Sequence, residues 1–249
     1  IDYITAGGKE KTKFKSIKVS PLMLKILGWI SSDGTIYEDK SKGVYYISFS
    51  SKNEELFKEF INAVKKLFGG VNIKILRNDN GTLIARINSK LLVMLFKTLK
   101  GYGSNELASL IKMPEEHISA FISGYIDGDG CISDNKGLIQ ISTVNKVKAK
   151  RIQLLLKRLG VQSRLTKRIT GFRGSVIYDV IISDKYDILK LSKILSLSHK
   201  GKREKLRKLV EKKKVCKRAC SFYLAPKIVS KLFKELRIRN NVKAPLLGK

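Results

Sequence analysis

The sequence predicts an α+β fold in which two pseudo-symmetric αββαββα repeats stand in tandem. Three observations predict it. Helical and alternating stretches recur twice in the same order. Short matches anchor the two copies, LFGGV (67–71) on KRLGV (157–161) and INSK (87–90) on IISDK (181–185). Two look-alike apolar helical runs each end in an acid followed by glycine, GWISSDG (28–34) and GYIDGDG (124–130).

Residues 1–18 are a basic segment. The first repeat spans 19–100. It opens with the helical run PLMLKILGWISSDG, where Ser20 is an N-cap and Pro21 a first helical residue, and Leu22, Ile26 and Ile30 form one stripe. GVYYISFSS alternates as a strand, NEELFKEFINAVKKLFGG is helical, VNIKILR and TLIARINS alternate again, and KLLVMLFKTL closes the repeat as a helix. A glycine-bearing linker, 101–112, separates the copies. The second repeat spans 113–210. PEEHISAFISGYIDGDG places Pro114 and two acids in a first helical turn, with Ile118, Ile122 and Ile126 on one stripe. GLIQISTVN, VKAKRIQLLLKRLGV, QSRLTKRI, SVIYDVIIS and DKYDILKLSKIL follow as strand, helix, strand pair and helix. A basic extension, 211–249, holds one amphipathic helix and a tail that either caps the second repeat or extends contact with a partner.

The chain has 249 residues, 51 Lys and Arg against 21 Asp and Glu, and a net charge of +30. That length buries a real core. The charge favours a polyanionic partner, nucleic acid first, over the lysine enrichment of a heat-adapted protein. Cys131, Cys216 and Cys220 form neither a disulfide framework nor a zinc-site pattern, which suggests a reducing, intracellular setting. No signal peptide and no membrane-spanning run is read, and the opening Ile1 suggests a processed product or an excised piece.

Gly28 and Ser32, and likewise Gly124 and Gly128, lie four apart on one helix face. Small residues at that spacing let two helix backbones approach closely, which would set Asp33 beside Asp129. A helix C-terminus disfavours a carboxylate by roughly 0.3–1 kcal/mol, and two adjacent carboxylates repel. A divalent cation resolves both costs, with the Ser32 and Gly128 main-chain carbonyls as further oxygen ligands. Oxygen-only ligation with room for water suits Mg2+ and phosphodiester hydrolysis. For a single copy, Asp-Gly after a helix reads equally well as a C-cap and turn. An EF-hand loop fails, since counting from Asp127 puts Cys131 at position five and Leu138 at position twelve.

At these residues the chain resembles the LAGLIDADG homing endonucleases in their single-chain, two-repeat form, over roughly residues 19–210. GYIDGDG is close to the family pattern; GWISSDG departs from it, with Ser31 where the first Asp usually stands. The resemblance implies that the last acids, Asp33 and Asp129, are catalytic and hold Mg2+, with Mn2+ able to substitute and about two or three ions in all. It implies an antiparallel β-saddle with helices on its convex side that straddles a double-stranded DNA target in the major groove. The protein would be a monomer that cuts each strand to leave short 3′ overhangs. Polar residues organising active-site water fall on Ser51 and Thr143, flanking basic residues on Lys200 and Lys112, and a phosphate contact on Lys52. The biological setting implied is intron or intein homing on genomic or organellar DNA. A terminal His-Asn pair is lacking, so the chain is not read as a whole splicing intein; an excised endonuclease domain is one of the origins left open, beside an intron-encoded and a free-standing one. The rivals are an intron RNA maturase or a non-cleaving DNA-binding protein on the same scaffold. A ribosome-associated basic protein explains the charge but not the repeated motif.

Strand alternation supports the saddle independently. Tyr45, Ile47 and Phe49 point inward, and Tyr46, Ser48 and Ser50 outward; Ile139 and Ile141 point inward, and Gln140 and Ser142 outward. Gln162, Arg164, Thr166 and Arg168 share one face, matched by Asn72, Lys74, Leu76 and Asn78. Arg suits guanine, and Gln or Asn suits adenine, in the major groove. For the fourth strands polarity sends Arg86 and Asn88 outward, whereas aligning the repeats favours Ala85 and Asp179. The Lys- and Arg-rich stretch from Lys200 to Arg218 grips phosphate in this reading.

Overall fold

A computed structural model describes residues 2–4, 11–13, 18–169 and 174–215. Short strands β1 (Asp2–Ile4) and β2 (Lys11–Lys13) pair as an antiparallel ribbon. The first repeat then runs α1 (Pro21–Asp33), β3 (Gly34–Asp39), β4 (Val44–Ser51), α2 (Glu54–Phe68), β5 (Ile73–Arg77), β6 (Leu83–Asn88) and α3 (Lys90–Lys100). The second runs α4 (Glu115–Asp129), β7 (Gly130–Ser133), β8 (Leu138–Thr143), α5 (Lys146–Arg158), β9 (Arg164–Ile169), β10 (Val176–Ile182) and α6 (Lys185–Ile194). A basic helix, α7 (Lys200–Val215), follows and carries the order past the repeat. The amphipathic helix and tail expected further on lie outside the described residues.

Each repeat makes its own four-stranded antiparallel sheet, β3-β4-β6-β5 and β7-β8-β10-β9, so the strands of the two repeats form two separate hydrogen-bonded sheets beside the β1-β2 ribbon among the described residues. Local chemistry sets the helix starts. Ser20 accepts from the Met23 N–H, Asn53 from Leu56 at 2.7 Å, Ser89 from Leu92 and Asn145 from Val147 at 2.9 Å. Pro114 sits at the cap of α4, one place before its first helical residue. The linker makes two 3₁₀ turns, Gly103–Asn105 and Ser109–Lys112.

Helices α1 and α4 are the centre of the core. Residues 23–31 of α1 are all buried, which explains why its sequence is apolar around most of the helix while α2 is two-faced. Trp29 and Tyr125 are among the largest fully buried side chains. The helices touch backbone to backbone. A Cβ on Gly28 would stand 2.3 Å from the Phe121 carbonyl, and one on Gly124 2.2 Å from that of Lys25. Neither helix ends in a left-handed cap. Gly34 is extended (φ −120°, ψ 176°), and a Cβ there would meet the Ser48 carbonyl at 2.5 Å. The Asp-Gly pairs therefore mark places where a helix passes directly into a strand through a gap that admits only hydrogen.

Strand register fixes which residues face outward. Gly34 pairs with Phe49 and Gly130 with Ile141, so Phe49 matches Ile141 between repeats. Ile47, Phe49, Ile139 and Ile141 are fully buried, leaving Tyr46, Ser48, Ser50, Gln140 and Ser142 on the opposite face, which is helix-free among the described residues. In the fourth strands Ala85 pairs with Phe49 and Val180 with Ile141, and both are fully buried. Ala85 thus faces the helices and Arg86 and Asn88 face outward. The structural equivalent of Asp179 is Ile84, one place from the pairing that sequence alignment gave. Both Arg86 and Asp179 lie on the helix-free face.

Gly124→Ala should lower unfolding free energy by about 1–3 kcal/mol or more, because overpacking must push the two helix backbones apart. Gly70→Ala, where an added Cβ meets nothing within 4 Å, should stay within about 0.5 kcal/mol of the native chain. Urea midpoints of the two variants compare them directly.

Candidate active site

The last residues of α1 and α4 are Asp33 and Asp129. Close packing at Gly28 and Gly124 carries these two ends together. A Cβ on Gly128 would stand 2.1 Å from Ser32 Oγ and 2.7 Å from Asp33 Oδ2, so one carboxylate lies against the backbone that leads to the other. Both carboxylates reach solvent. Burial nevertheless raises the pKa of Asp33, the Asp129 charge raises it further, and Lys202 opposes. Burial raises Asp129 too, against the charges of Lys148 and Lys202 and a hydrogen bond from Tyr125.

Two lysines answer this negative charge, and neither was singled out from the sequence. Lys202, in the first turn of α7, donates to the Ile126 carbonyl at 2.9 Å, the Asp127 carbonyl at 2.7 Å and the Gly128 carbonyl. It thereby caps the C-terminus of α4, where a helix favours a cation. Desolvation lowers the Lys202 pKa; Asp127, Asp33 and Asp129 pull the other way. Lys148, in the first turn of α5, reaches the Ser31 carbonyl at 3.5 Å, the position in α1 equivalent to Asp127. The linker holds Lys148 there: buried Glu106 pairs with it at 3.4 Å and accepts from Asn145 Nδ2 at 2.8 Å. The first turn of α2 carries Glu54 and Glu55, as the helix dipole favours, whereas the first turns of α5 and α7 hold lysines and no acid; the first turn of α3, with Lys90, does the same, so this pattern alone does not single the two lysines out.

The first acid of GYIDGDG does different work. Asp127 is buried and accepts from the Trp29 indole at 3.1 Å, from Ser198 N–H at 2.9 Å and from His199 N–H at 2.9 Å. It ties α4 to α1 and to the turn that starts α7, and so places Lys202. Burial raises its pKa while these donors resist. Its counterpart Ser31 is buried, with no partner for its hydroxyl among the described residues.

Ser51 Oγ and Thr143 Oγ1 end β4 and β8 and accept from Asn53 N–H at 3.1 Å and Asn145 N–H at 3.2 Å. Burial raises the pKa of the nearby Tyr125 phenol, the Asp129 charge raises it further, and Thr143 opposes. Lys200, Lys112 and Lys52 are exposed; the lysine facing both carboxylates is Lys202, two places after Lys200. Ser32 Oγ donates back to the Gly28 and Trp29 carbonyls. On the helix-free face Ser50 Oγ donates to the Asp33 carbonyl at 3.0 Å, which sets the carboxylate pair at the level of that face. Arg86 lies over the Tyr46 ring at 3.8 Å, and Tyr46 stacks on Tyr37. Lys74 pairs across to Arg86, which pairs to Ser48, in one outward row. Arg164, Thr166 and Arg168 share the outward face of β9. Asn72 and Gln162 stand just before their strands, and the Gln162 N–H donates to Asp187.

Among the described residues no cluster of three or more His, Cys, Asp or Glu could hold a metal. The donor set at the helix ends is instead two carboxylates of raised pKa, pushed together beside main-chain carbonyls. That set fits a hard divalent cation whose other ligands are water and phosphate oxygen. The Gly128 carbonyl, expected as a ligand, receives the Lys202 ammonium.

A family model described as "LAGLIDADG-like domain" matches residues 20–99 and 116–195. A subunit of the A-type ATP synthase of Methanopyrus kandleri is 34% identical over the whole of this chain, which spans 23% of that protein. The replication factor C small subunit of Methanocaldococcus jannaschii is 27% identical over 74% of the chain, which spans 10% of it. The chain thus spans less than a quarter of these curated relatives. The crystal structure of I-DmoI in complex with DNA and Mn superposes with a TM-score of 0.57 at 24% identity, covering 71% of this chain and 97% of that one. No helix among the described residues is long and apolar enough to cross a membrane.

Because their folded pKa values are raised, Asp33 and Asp129 favour the folded state when protonated. That stability is present below the unfolded carboxylate pKa of about 3.9 and is lost as pH rises through the folded values. In metal-free buffer at pH 7, Asp33→Asn or Asp129→Asn should therefore melt at a higher temperature than the native chain. The difference should shrink toward zero as the pH falls below about 4.

Proposed function

The chain belongs to the LAGLIDADG-like domain family, and from that premise we propose that it is a site-specific, Mg2+-dependent double-strand DNA endonuclease of the homing type. One observation carries the reading: two acids, one from each repeat, meet at abutting helix ends level with the helix-free face of two antiparallel sheets. Because one chain supplies both acids and both sheets, it acts as a monomer.

Asp33 and Asp129 would hold the metal, with the Ser32 carbonyl as a neighbouring oxygen. When bound, the cation activates water and neutralises charge on the scissile phosphates. The chain's own groups do the rest. Lys202 and Lys148 hold positive charge beside the site and offset the charge that builds on phosphate during in-line attack. Ser51 and Thr143 orient water next to the two acids, using hydroxyls anchored by main-chain N–H donors. Arg86, Arg164, Arg168 and Lys74 face the major groove, while Lys52, Lys112, Lys200 and the rest of α7 contact phosphate. The net charge of +30 draws DNA to the face and makes binding strongly salt-dependent.

The relatives support an intein setting. An ATP synthase subunit and a replication factor share no activity by name, yet each contains a stretch like this chain within a much longer protein. A segment carried between unrelated hosts is explained by an inserted element that spreads by cutting vacant alleles. Its substrate is then the uninterrupted host gene at the insertion point.

A duplex carrying that vacant site should be cut on both strands with Mg2+ and left intact with EDTA. Asp33→Asn and Asp129→Asn should each slow cutting by about a thousandfold. Cutting that survives both substitutions overturns the assignment of the acids. Tight metal-independent binding by the native chain without any cutting supports instead a non-cleaving DNA-binding protein on the same scaffold.

A further inference from the structure

The helix-free faces of the two sheets are built differently. On the second sheet Asp179 stands among outward residues yet is only 3% exposed. An acid on a surface meant for DNA repels phosphate unless its charge is fully engaged, and here it is. Ser142 Oγ donates to Asp179 Oδ1 at 2.6 Å, and Arg168 Nε donates to Oδ2 at 2.6 Å. Gln140 Nε2 donates in turn to Ser142 Oγ at 3.1 Å. Burial pulls the Asp179 carboxyl upward, but the Ser142, Arg168 and Gln140 hydrogen bonds outweigh it and hold the pKa below the ordinary carboxylate value. Asp179 is therefore an ionised buttress.

What it buttresses is Arg168, whose side chain is half exposed. The bond to Asp179 uses Nε, which fixes the guanidinium plane and, among the described residues, leaves its two Nη nitrogens for another acceptor pair. Guanine O6 and N7 in the major groove match such a fixed fork. The first repeat has no such pair. Its equivalents of Asp179 and Arg168 are Ile84 and Asn78, and its outward Arg86 lies on Tyr46 and bonds Asn88 instead.

We propose that Arg168 reads a single guanine in the half-site under the second repeat, and that Asp179 positions Arg168 without touching DNA. This rests on the DNA-binding aspect of the proposed function. The test is selection of bound duplexes from a randomised library by the intact chain without cleavage, followed by sequencing. The native chain should enrich one sequence, with guanine strongly preferred at one position of one half-site. Arg168→Gln should abolish that preference. Asp179→Asn should weaken it by about tenfold, with other positions little changed. Ser142→Ala, which removes one hydrogen bond to Asp179, should weaken the same position to a smaller degree; its unaltered melting temperature would show that the fold is kept. No change at any guanine in Arg168→Gln overturns the inference, as does a uniform loss across all positions in Ser142→Ala. If the native chain enriches no sequence at all, the DNA reading fails instead.

Discussion

The contact between α1 and α4 at Gly28 and Gly124 is the constraint on which the rest of the molecule depends. Two helices whose backbones touch cannot be displaced by a side chain's width without opening the core around Trp29 and Tyr125. The contact relates two copies of one repeat, so whatever one copy places at its helix end the other places beside it. Gly34 and Gly130 then turn each helix directly into a strand, and each sheet inherits its position from the helix end.

That geometry creates an electrostatic problem. Two helix C-termini and two carboxylates converge, all negative, in a partly desolvated place. The chain offsets it with cations from outside the motif, Lys202 from α7 and Lys148 from α5, each laid on the last carbonyls of a motif helix. Their supports are not equivalent: Asp127 anchors the turn before Lys202, whereas Glu106 of the linker holds Lys148. The charge left over after these contacts is what a divalent cation would meet.

Much of this was legible in the sequence because it is periodic. The helical stripes, the inward Ile47, Phe49, Ile139 and Ile141, and the acids at matched helix ends follow from spacing alone. The fourth strands were not, because their parity depends on main-chain pairing. Superposing the N-caps Ser89 and Asp184 sets Ala85 on Val180, and a shift of one residue exchanges the faces. The lysines escaped because they come from distant segments, and their placement in first helical turns is shared by Lys90 of α3. Asp127 was separable from Asp129 once Ser31 was seen to stand in its place, but its three donors come from residues 71 to 98 positions away.

The most direct test is the coupling free energy between Asp33 and Asp129, from a double-mutant cycle of unfolding for Asp33→Asn, Asp129→Asn and the double variant, with and without Mg2+. If the helix contact brings the two acids into one site, the metal-free double variant gains less than the sum of the singles, because either substitution alone relieves the shared repulsion. Mg2+ then reverses the sign of the coupling, since either substitution alone disrupts the ion. Additivity within about 0.5 kcal/mol in both conditions would contradict the account and leave two independent carboxylates.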